Sequence, residues 1–369
     1  MVKHAYYIAS TGQNVGKTTA CLGLFSGLRK RFNRVGFLKP VGQEHIETGC
    51  GHHVDKDVIL FKEHFELSTP YEKMSPVLFP SGFTRDFLDG KISEKHLRKK
   101  ITDCFASMTA DHDFTLLEGT GHTGVGSIAH INNAQVAALL QVPMILVASG
   151  GLGSAFDELS LNKTHCEHYG ARVAGVILNR VLPDKREMVI KYMNKALAQW
   201  NIPLVGCIPY DSFLSNPTMK DFETLFKTTL LSGEQHRMRH FKQTRLVDTS
   251  LENYRDLIAK SQLIITPANR EDIILETLSY HWDMKIAHPQ TDSEAGMILT
   301  GNIPPKASIV EEIKKAEIPM LYAPLNSYSA MKLITSFTAK IRREDVAKVQ
   351  EAIEVVENQI NFDFFTKGS

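Results

Sequence analysis

The chain has no long apolar run, no marked excess of either charge and few cysteines. No stretch approaches the ~18 apolar residues that a membrane-spanning helix needs, and the apolar run near the N-terminus is too short for a signal peptide. The net charge of +1 offers no general electrostatic attraction for nucleic acid. The 5 cysteines are scattered and odd in number, which fits reduced thiols better than a disulfide framework. The sequence therefore predicts a cytoplasmic protein that binds neither membranes nor nucleic acid.

Short apolar runs alternate with helical periodicity over residues 1–215 of the 369-residue chain, which is long enough for two domains. The runs are rich in Val, Ile and Leu and nearly continuous, as in strands covered on both faces. We therefore predict an α/β fold with a parallel sheet and flanking helices, whose ligand lies at the carboxyl ends of the strands. The predicted strands are Ala5–Ala9, Val35–Leu38, Phe114–Leu117, Met144–Val147, Val173–Leu178 and Leu204–Ile208, with helices at Ala134–Gln141 and Arg186–Trp200.

The sequence changes in character after the first domain. The polar segment 216–245 is interpreted as a linker, and its basic run Gln235–His240 as a solvated surface rather than a nucleic-acid patch. Residues 246–369 are predicted to form a second, smaller α/β domain that ends in a helix with one apolar face over Arg343–Ile360. Its predicted strands are Leu263–Thr266, Gly296–Leu299 and Met320–Tyr322, and its other helices are Arg270–Tyr280, Ser308–Ala316 and one from Ser327.

The most informative segment is Ser10–Thr19, which follows the first predicted strand and opens a helical pattern. A strand, a glycine-bearing turn and Gly-Lys-Thr at the start of a helix form a P-loop, in which main-chain N–H groups point at a polyphosphate. Lys17 would reach the terminal phosphates, and the Thr18 hydroxyl would complete a magnesium shell. Thr11 stands where the usual first glycine would be. The predicted nucleotide-binding residues of this loop are Gly12, Gln13, Asn14, Val15, Gly16, Lys17, Thr18 and Thr19.

Polar side chains follow three other predicted strands. Lys39, before the strand-stopping Pro40, could neutralise a substrate carboxylate or a transferring phosphoryl group, or could be a surface lysine. Glu118 follows an apolar strand in a Walker-B arrangement and would hold Mg²⁺ directly or through water. Asn179 offers the donor and acceptor that an adenine edge requires, or could be a plain turn residue. The sequence therefore predicts ATP and Mg²⁺ as cofactors, with Lys17, Lys39 and Glu118 as catalytic candidates.

A competing metal site is suggested by Cys50, His52, His53 and Asp55, which fall within six residues. Structural zinc sites space their ligands differently and draw a second pair from elsewhere in the chain. No such second pair stands out, so a glycine-rich substrate loop is the favoured interpretation of this segment.

With these motifs in hand, residues 1–215 resemble dethiobiotin synthetase and its amidoligase-type P-loop relatives. The whole chain is similar to the N-terminal region of long bacterial phosphate acetyltransferases, which pairs such a P-loop domain with a DRTGG domain. Asn269–Ile274 and Gly296–Asn302 resemble the second module. The motifs shared with the first are Val15–Thr18, Lys39–Val41, Asp57–Leu60, Glu118-Gly119, Asn179-Arg180 and Gly206–Pro209.

The resemblance implies roles for individual residues. Lys17 and Thr18 would bind phosphates and magnesium, and Lys39 would contact substrate and the γ-phosphate. Asp57, which strand-end reasoning does not single out, would join Thr18 and Glu118 as a magnesium ligand. The nucleotide-binding residues would also include Asn179, which matches the adenine-recognising residue, together with Arg180 and Pro209.

The sequence also departs from these relatives. The loop residues Gly12, Gln13 and Asn14 replace the acids that handle the diamine substrate of the synthetase, and Gly12 replaces the signature lysine of partitioning ATPases. Asn269 and Asn302 replace the aspartate and second glycine of the DRTGG motif. The chain ends where the acetyltransferase catalytic domain would begin, so acetyl transfer is not expected.

Two hypotheses follow from these similarities and departures. One is an ATP-dependent ligase or amide synthase that activates a small carboxylate or carbamate. The other is a nucleotide-sensing regulatory module that binds a metabolite effector. The resemblance adds the expectation of a homo-oligomer.

Overall fold

The computed structural model describes residues 4–43, 45–47, 53–288 and 291–367. The chain divides into two compact units. Unit 1 consists of Met1–Asp211 together with Ile341–Ser369, and unit 2 of Ser212–Lys340. Among the helices of these described ranges, none has both the length and the low polarity needed to cross a membrane.

Unit 1 is built on a six-stranded parallel sheet. Its strands are β1 (His4–Ser10), β2 (Val35–Leu38), β3 (Val41–Gly42), β4 (His45–Glu47), β5 (His53–Asp55), β6 (Val77–Leu78), β7 (Phe114–His122), β8 (Met144–Ser149), β9 (Val173–Val181) and β10 (Leu204–Pro209). The large sheet has the order β10-β9-β8-β1-β7-β2, whereas β3 pairs with β6 and β4 with β5. The predicted parallel α/β sheet and its six strands are confirmed, although β7 and β9 extend past their predicted ends.

From β1 the chain runs to β2 and β7 on one side of this sheet and then to β8, β9 and β10 on the other, so β1 lies at the topological switch point where α/β proteins bind ligands. Its carboxyl end carries the predicted P-loop. The helices of this part of the chain are α1 (Lys17–Arg29), α2 (Lys56–His64), α3 (Tyr71–Met74), α4 (Phe83–Leu88), α5 (Glu94–Asp111), α6 (Asn133–Leu140), α7 (Gly153–His168) and α8 (Arg186–Ala198), with 3-10 turns at Ser127–Ala129 and Pro183–Lys185.

Unit 2 is a second, smaller α/β sheet, as predicted. Its strands β11 (Leu230–Ser232), β12 (Gln243–Leu246), β13 (Gln262–Pro267), β14 (Gly296–Thr300) and β15 (Met320–Ala323) have the order β11-β15-β14-β13-β12. All neighbours are parallel except the β11–β15 pair. Its helices are α9 (Ser212–Ser215), α10 (Met219–Phe226), α11 (Leu251–Leu257), α12 (Glu271–Ala287), α13 (Ala307–Ala316) and α14 (Ser327–Ser336), with a 3-10 turn at Glu234–His236.

The segment 216–245 differs from the predicted linker, because the structure places it within unit 2. It contributes α10, β11 and β12, and Met219 and Phe222 of α10 are buried in a core with Leu263 and Ile298. The capping box of Thr218 and Asp221 starts α10. This segment contains an amphipathic helix whose few apolar residues all face the sheet, and its many polar residues made that pattern difficult to recognise in the sequence.

The C-terminal helices also differ from the expected division, which assigned them to the second domain. The structure groups α15 (Val346–Glu357) and α16 (Asp363–Thr366) with unit 1. A Cβ at Gly23 of α1 would lie 2.4 Å from Val356 Cβ, and one at Gly27 would lie 2.0 Å from Phe362 Cζ. The absence of side chains at these two glycines lets the C-terminal segment approach the backbone of α1. The apolar face of the helix was predicted correctly, but its partner is the P-loop helix.

Candidate functional site

The loop between β1 and α1 forms an uncapped helix N-terminus. Gly16 is the N-cap residue of α1 in a left-handed conformation, with φ of 90°, and no side chain within the described residues caps this end. Gln13 and Asn14 at the tip of the loop are exposed, whereas Val15 anchors it in the core. The first N–H groups of a helix and its dipole attract an anion when no side chain satisfies them. The predicted phosphate-binding loop therefore has the backbone shape that this role requires.

Asn179 lies at the carboxyl end of β9, and its side chain holds the loop in place. Its Nδ2 donates to the Val15 carbonyl oxygen at 2.8 Å, and its Oδ1 accepts from the Arg180 N–H at 2.9 Å. A Cβ at Gly16 would lie 2.1 Å from Asn179 Nδ2. Glycine at position 16 thus serves both the left-handed backbone and the close approach of this amide.

Replacing Gly16 with Ala is expected to destabilise unit 1 by about 1–2 kcal/mol, because L-residues are penalised in left-handed backbone and the new Cβ would collide with Asn179. Urea unfolding measures the change. Gly12→Ala is the matched control, since its nearest contact would be an ordinary 3.5 Å from Val15 Cγ2. Equal losses for the two variants would contradict the assigned role of Gly16.

Further hydrogen bonds tie the loop to its neighbours in unit 1. Lys17 Nζ donates to the Gly121 carbonyl oxygen at 3.1 Å, and the Ser10 hydroxyl lies 2.9 Å from the same oxygen. Thr11 Oγ1 donates to Glu158 Oε2 at 2.8 Å, and Asn162 Nδ2 donates to the Thr11 carbonyl oxygen at 3.1 Å. Sequence reasoning missed Glu158 and Asn162, because both lie on the polar surface of α7 and carry no motif.

The chemical centre is a group that we call the Lys39 cluster: Lys39, Asp55, Asp57 and Glu118. Lys39 Nζ lies 3.3 Å from Asp55 Oδ1 and 3.6 Å from Glu118 Oε1, and it donates a hydrogen bond to Asp57. All four residues are buried, and Glu118 is 0% exposed. The fold brings them together because Lys39 follows β2, Glu118 lies in the neighbouring β7, and the two aspartates begin α2.

Thr18 connects this cluster to the P-loop, because its Oγ1 donates to Glu118 Oε1 at 2.9 Å. The structure therefore brings Thr18, Lys39, Asp57 and Glu118 together, as their predicted roles require. Glu118 lies within β7 rather than at its end.

Burial and charge shift the ionisation of the Lys39 cluster in opposite directions. Burial alone would lower the pKa of Lys39, but the surrounding carboxylates raise it well above its ordinary value. Burial raises the pKa of Asp55 and Glu118, and Lys39 only partly opposes these shifts. For Asp57, burial favours a higher pKa, but the charge and hydrogen bond of Lys39 bring it below its ordinary value.

Three buried carboxyl groups surround a single ammonium in the Lys39 cluster, and the charge of Lys17 also acts on Asp57 and Glu118. Glu118 Oε2 is also buried without a hydrogen-bond partner among the described residues. Carboxylate oxygens suit Mg²⁺, which normally takes one or two protein carboxylates and completes its shell with phosphates and water. No group of three or more His, Cys, Asp or Glu within the described ranges can hold a metal ion by itself. These residues fit a shared magnesium site of that kind.

Asp55 is the residue of this cluster that the sequence did not assign to the ATP site. Its side chain accepts from the Asp57 N–H at 3.0 Å and so caps the N-terminus of α2. An aspartate just before an apolar helical run is a capping signal, which could have placed it beside Asp57. Of the alternative zinc group, Cys50 and His52 lie outside the described residues.

The remaining predicted residues lie at the same edge of the large sheet. Arg180 is exposed at the end of β9 with φ of 59°, and Pro209 ends β10, where it is paired in register with Val181. Thr19 is partly buried in the first turn of α1. None of these positions conflicts with nucleotide binding, but their roles remain predictions.

The parallel sheet, the glycine-bearing loop on its switch-point strand and the acidic residue of the neighbouring strand define a P-loop nucleotide-binding fold. Residues 4–218 match the AAA_26 family, described as an AAA domain, and residues 224–337 match the DRTGG domain. The chain belongs to the AAA_26 family of P-loop proteins and carries a DRTGG domain as its second module.

Relatives support both modules. Phosphate acetyltransferase of Nitratidesulfovibrio vulgaris is 27% identical over 377 residues, covering 96% of this chain and 50% of the relative. The chain spans about half the length of the phosphate acetyltransferases it matches. ATP-dependent dethiobiotin synthetase BioD of Bacillus subtilis is 27% identical over 207 residues, covering 55% of this chain and 86% of that protein.

Among solved structures, the MinD cell division protein of Aquifex aeolicus is 16% identical with a TM-score of 0.37, covering 57% of this chain and 84% of that protein. The two family matches and the relatives described above, rather than this solved structure, confirm the predicted resemblance to dethiobiotin synthetase, to the N-terminal region of phosphate acetyltransferases and to DRTGG domains.

Proposed function

We propose that the chain binds ATP with Mg²⁺ at the carboxyl edge of β1, β7 and β2 and uses it to activate a small carboxylate or carbamate. The observation that carries this proposal is the joining of the P-loop to the Lys39 cluster through Thr18 and Glu118. A phosphate loop alone binds a nucleotide. A buried lysine among acids beside that loop adds the charge that a phosphoryl transfer needs.

In this proposal the residues of the site have separate roles in binding ATP and in transferring its γ-phosphoryl group. The N–H groups of the loop and Lys17 would bind the phosphates, while Thr18, Asp57 and Glu118 would hold Mg²⁺, which neutralises charge on them. Lys39 would stabilise the phosphoryl group as a substrate oxygen attacks the γ-phosphorus and ADP leaves. An amine could then displace phosphate from the acyl phosphate, which is ligase or amide-synthase chemistry. Asn179, Arg180 and Pro209 would lie beside the base.

A nucleotide-sensing regulatory module is the second candidate, and the division of the chain favours it. Unit 2 is inserted between the two stretches that form unit 1, and the second stretch packs on the P-loop helix through Gly23 and Gly27. A ligand that shifts α1 would therefore act on a segment joined directly to unit 2. In this case the DRTGG domain would bind a metabolite effector, and nucleotide binding would change the assembly of a homo-oligomer.

Replacing Lys17 with Met is expected to weaken ATP binding about 10- to 100-fold, which corresponds to the free energy of one hydrogen bond to a charged group. The fold is expected to persist. Calorimetric titration with Mg-ATP measures the affinity, and circular dichroism checks the fold. Lys30→Met, at the far end of α1, is the control and should bind ATP normally. Normal ATP binding by the folded Lys17 variant would refute the site.

Product analysis separates the two candidates. Wild-type protein incubated with Mg-ATP and a panel of carboxylates and amines should release ADP only with its substrate if it is a ligase. A regulatory module should bind ATP without substrate-dependent turnover and should change its sedimentation on binding.

A further inference from the structure

A cavity of 380 Å³ in unit 1 is lined by residues that follow β3 and β6 and by the start of α4, and we call it the Arg85 cavity. Its walls include Gln43, Phe79, Phe83, Thr84 and Arg85. None of these residues belongs to the nucleotide site described above. The volume is that of a site for a small organic molecule.

The Arg85 cavity adjoins the Lys39 cluster. Gly42 of β3 lies against the buried Asp55 carboxylate, since a Cβ at Gly42 would be 2.5 Å from Asp55 Oδ2. The next residue, Gln43, lines the cavity, and the Phe79 N–H donates to the Gly42 carbonyl oxygen at 2.9 Å. The wall of the cavity therefore begins one residue beyond the backbone that contacts the Asp55 carboxylate.

The polar part of the cavity is cationic. Arg85 is exposed, and after the larger effect of the Lys91 hydrogen bond its charge also lowers the pKa of the neighbouring Asp86 carboxylate. The nearby carboxylates of Asp86 and Asp89 are paired with Lys91 at 2.8 and 3.4 Å. The guanidinium of Arg85 thus has N–H groups to offer an external anion, and its planar fork matches a carboxylate in particular.

The rest of the wall is aromatic. The rings of Phe79 and Phe83 lie 4.3 Å apart between centroids, and Phe83 is anchored in the core. Gln43 and Thr84 add an amide and a hydroxyl at the margin. A cation beside fixed aromatic faces suits the part of a molecule that joins a carboxylate to an apolar or planar body.

We propose that the Arg85 cavity binds the second substrate of the ATP site, and that this substrate is a small organic acid with two anionic groups. One carboxylate pairs with Arg85 and the body of the acid lies on Phe79 and Phe83, while the carboxylate or carbamate that ATP activates lies at the other end, toward the Lys39 cluster. This inference rests on the proposed function, because it gives the activated compound a place beside Lys39.

The test uses benzoate, which supplies the carboxylate and the planar apolar body that the cavity should recognise, and benzamide as its neutral isostere. Saturation-transfer NMR on the full-length chain should show saturable benzoate binding and at least ~10-fold weaker benzamide binding. Arg85→Gln should weaken benzoate binding by about 10-fold or more, and Arg85→Lys should restore part of the loss. Lys95→Gln removes an exposed charge outside the cavity and should leave benzoate binding unchanged.

Three results would overturn the assignment: no saturable benzoate signal, equal binding of benzamide, or unchanged benzoate binding by Arg85→Gln. Mg-ATP titration of the same variants keeps the two proposals separate. Arg85→Gln should bind ATP like the wild type, whereas Lys17→Met should lose ATP and keep benzoate. If Lys17→Met keeps ATP, the nucleotide site fails. If only the benzoate results fail, the Arg85 cavity alone is rejected.

Discussion

Replacing Lys39 with Met is expected to lower the free energy of unfolding by about 3–5 kcal/mol at neutral pH, because it leaves buried carboxylates without their cation. Lys39 forms ion pairs with all three of these carboxylates, Asp55, Asp57 and Glu118. Methionine fills a similar volume, so the loss comes from charge rather than from a void.

The dependence of this loss on pH has a definite sign. In the wild type the pKa of Lys39 is higher in the folded state than in the unfolded state. The contribution of Lys39 to folding stability is therefore fully present at pH values below its pKa in the unfolded state. It is lost only as the pH rises through its pKa in the folded state. In the variant, uncompensated burial raises the pKa of the three acids, so the folded state binds more protons than the unfolded state. The deficit should therefore grow as pH rises from about 5 to 8.

Urea unfolding of both proteins across this pH range measures the deficit. Lys91→Met is the matched control, because it breaks an exposed pair with Asp86 and should change stability little at any pH. A deficit for Lys39→Met that is small, or constant with pH, would show that the lysine does not compensate these acids.

Replacing Gly27 with Ala is expected to destabilise unit 1 by about 2–3 kcal/mol, as overpacked core substitutions do. The added Cβ would lie 2.0 Å from Phe362 Cζ. The ring cannot easily yield, because it is buried and lies under the Arg31 guanidinium at 4.1 Å. Thermal and urea unfolding measure the loss.

A double-mutant cycle tests whether this collision is the cause. Phe362→Ala removes the ring, so it should cost clearly less in the Gly27→Ala background than in the wild type. Gly153→Ala in α7 is the control, since its Cβ would meet nothing within 4 Å. Strictly additive effects of Gly27→Ala and Phe362→Ala would place the source of the destabilisation elsewhere.

Local sequence patterns predicted the elements of this fold well, because buried parallel strands and a P-loop leave strong signals. The continuous apolar runs located all six strands of the large sheet, and Gly16-Lys17-Thr18 located the start of α1. Lys39 and Glu118 could be placed together because strand ends of a parallel sheet share one edge. Asp57 needed the family resemblance, since nothing in its own spacing points to the P-loop.

The predictions that failed concern contacts between distant segments. The apolar face of α15 has the same pattern whichever partner it covers, so its assignment depended on Gly23 and Gly27, which carry no side-chain signal. The polar segment 216–245 was interpreted as a linker because its helix and strands bury few residues each. Glu158 and Asn162 were missed because a hydrogen bond to a loop backbone needs no particular spacing.

The return of the chain to α1 means that the nucleotide-binding half cannot be separated by a single cut. A fragment of residues 1–211 would retain every nucleotide-binding residue predicted here but would bare the groove over Gly23 and Gly27 that Val356 and Phe362 fill. Such a fragment would present a strip of uncovered helix backbone and apolar surface to other molecules. Excising 212–340 and rejoining the flanking ends would instead preserve the full set of partners around α1.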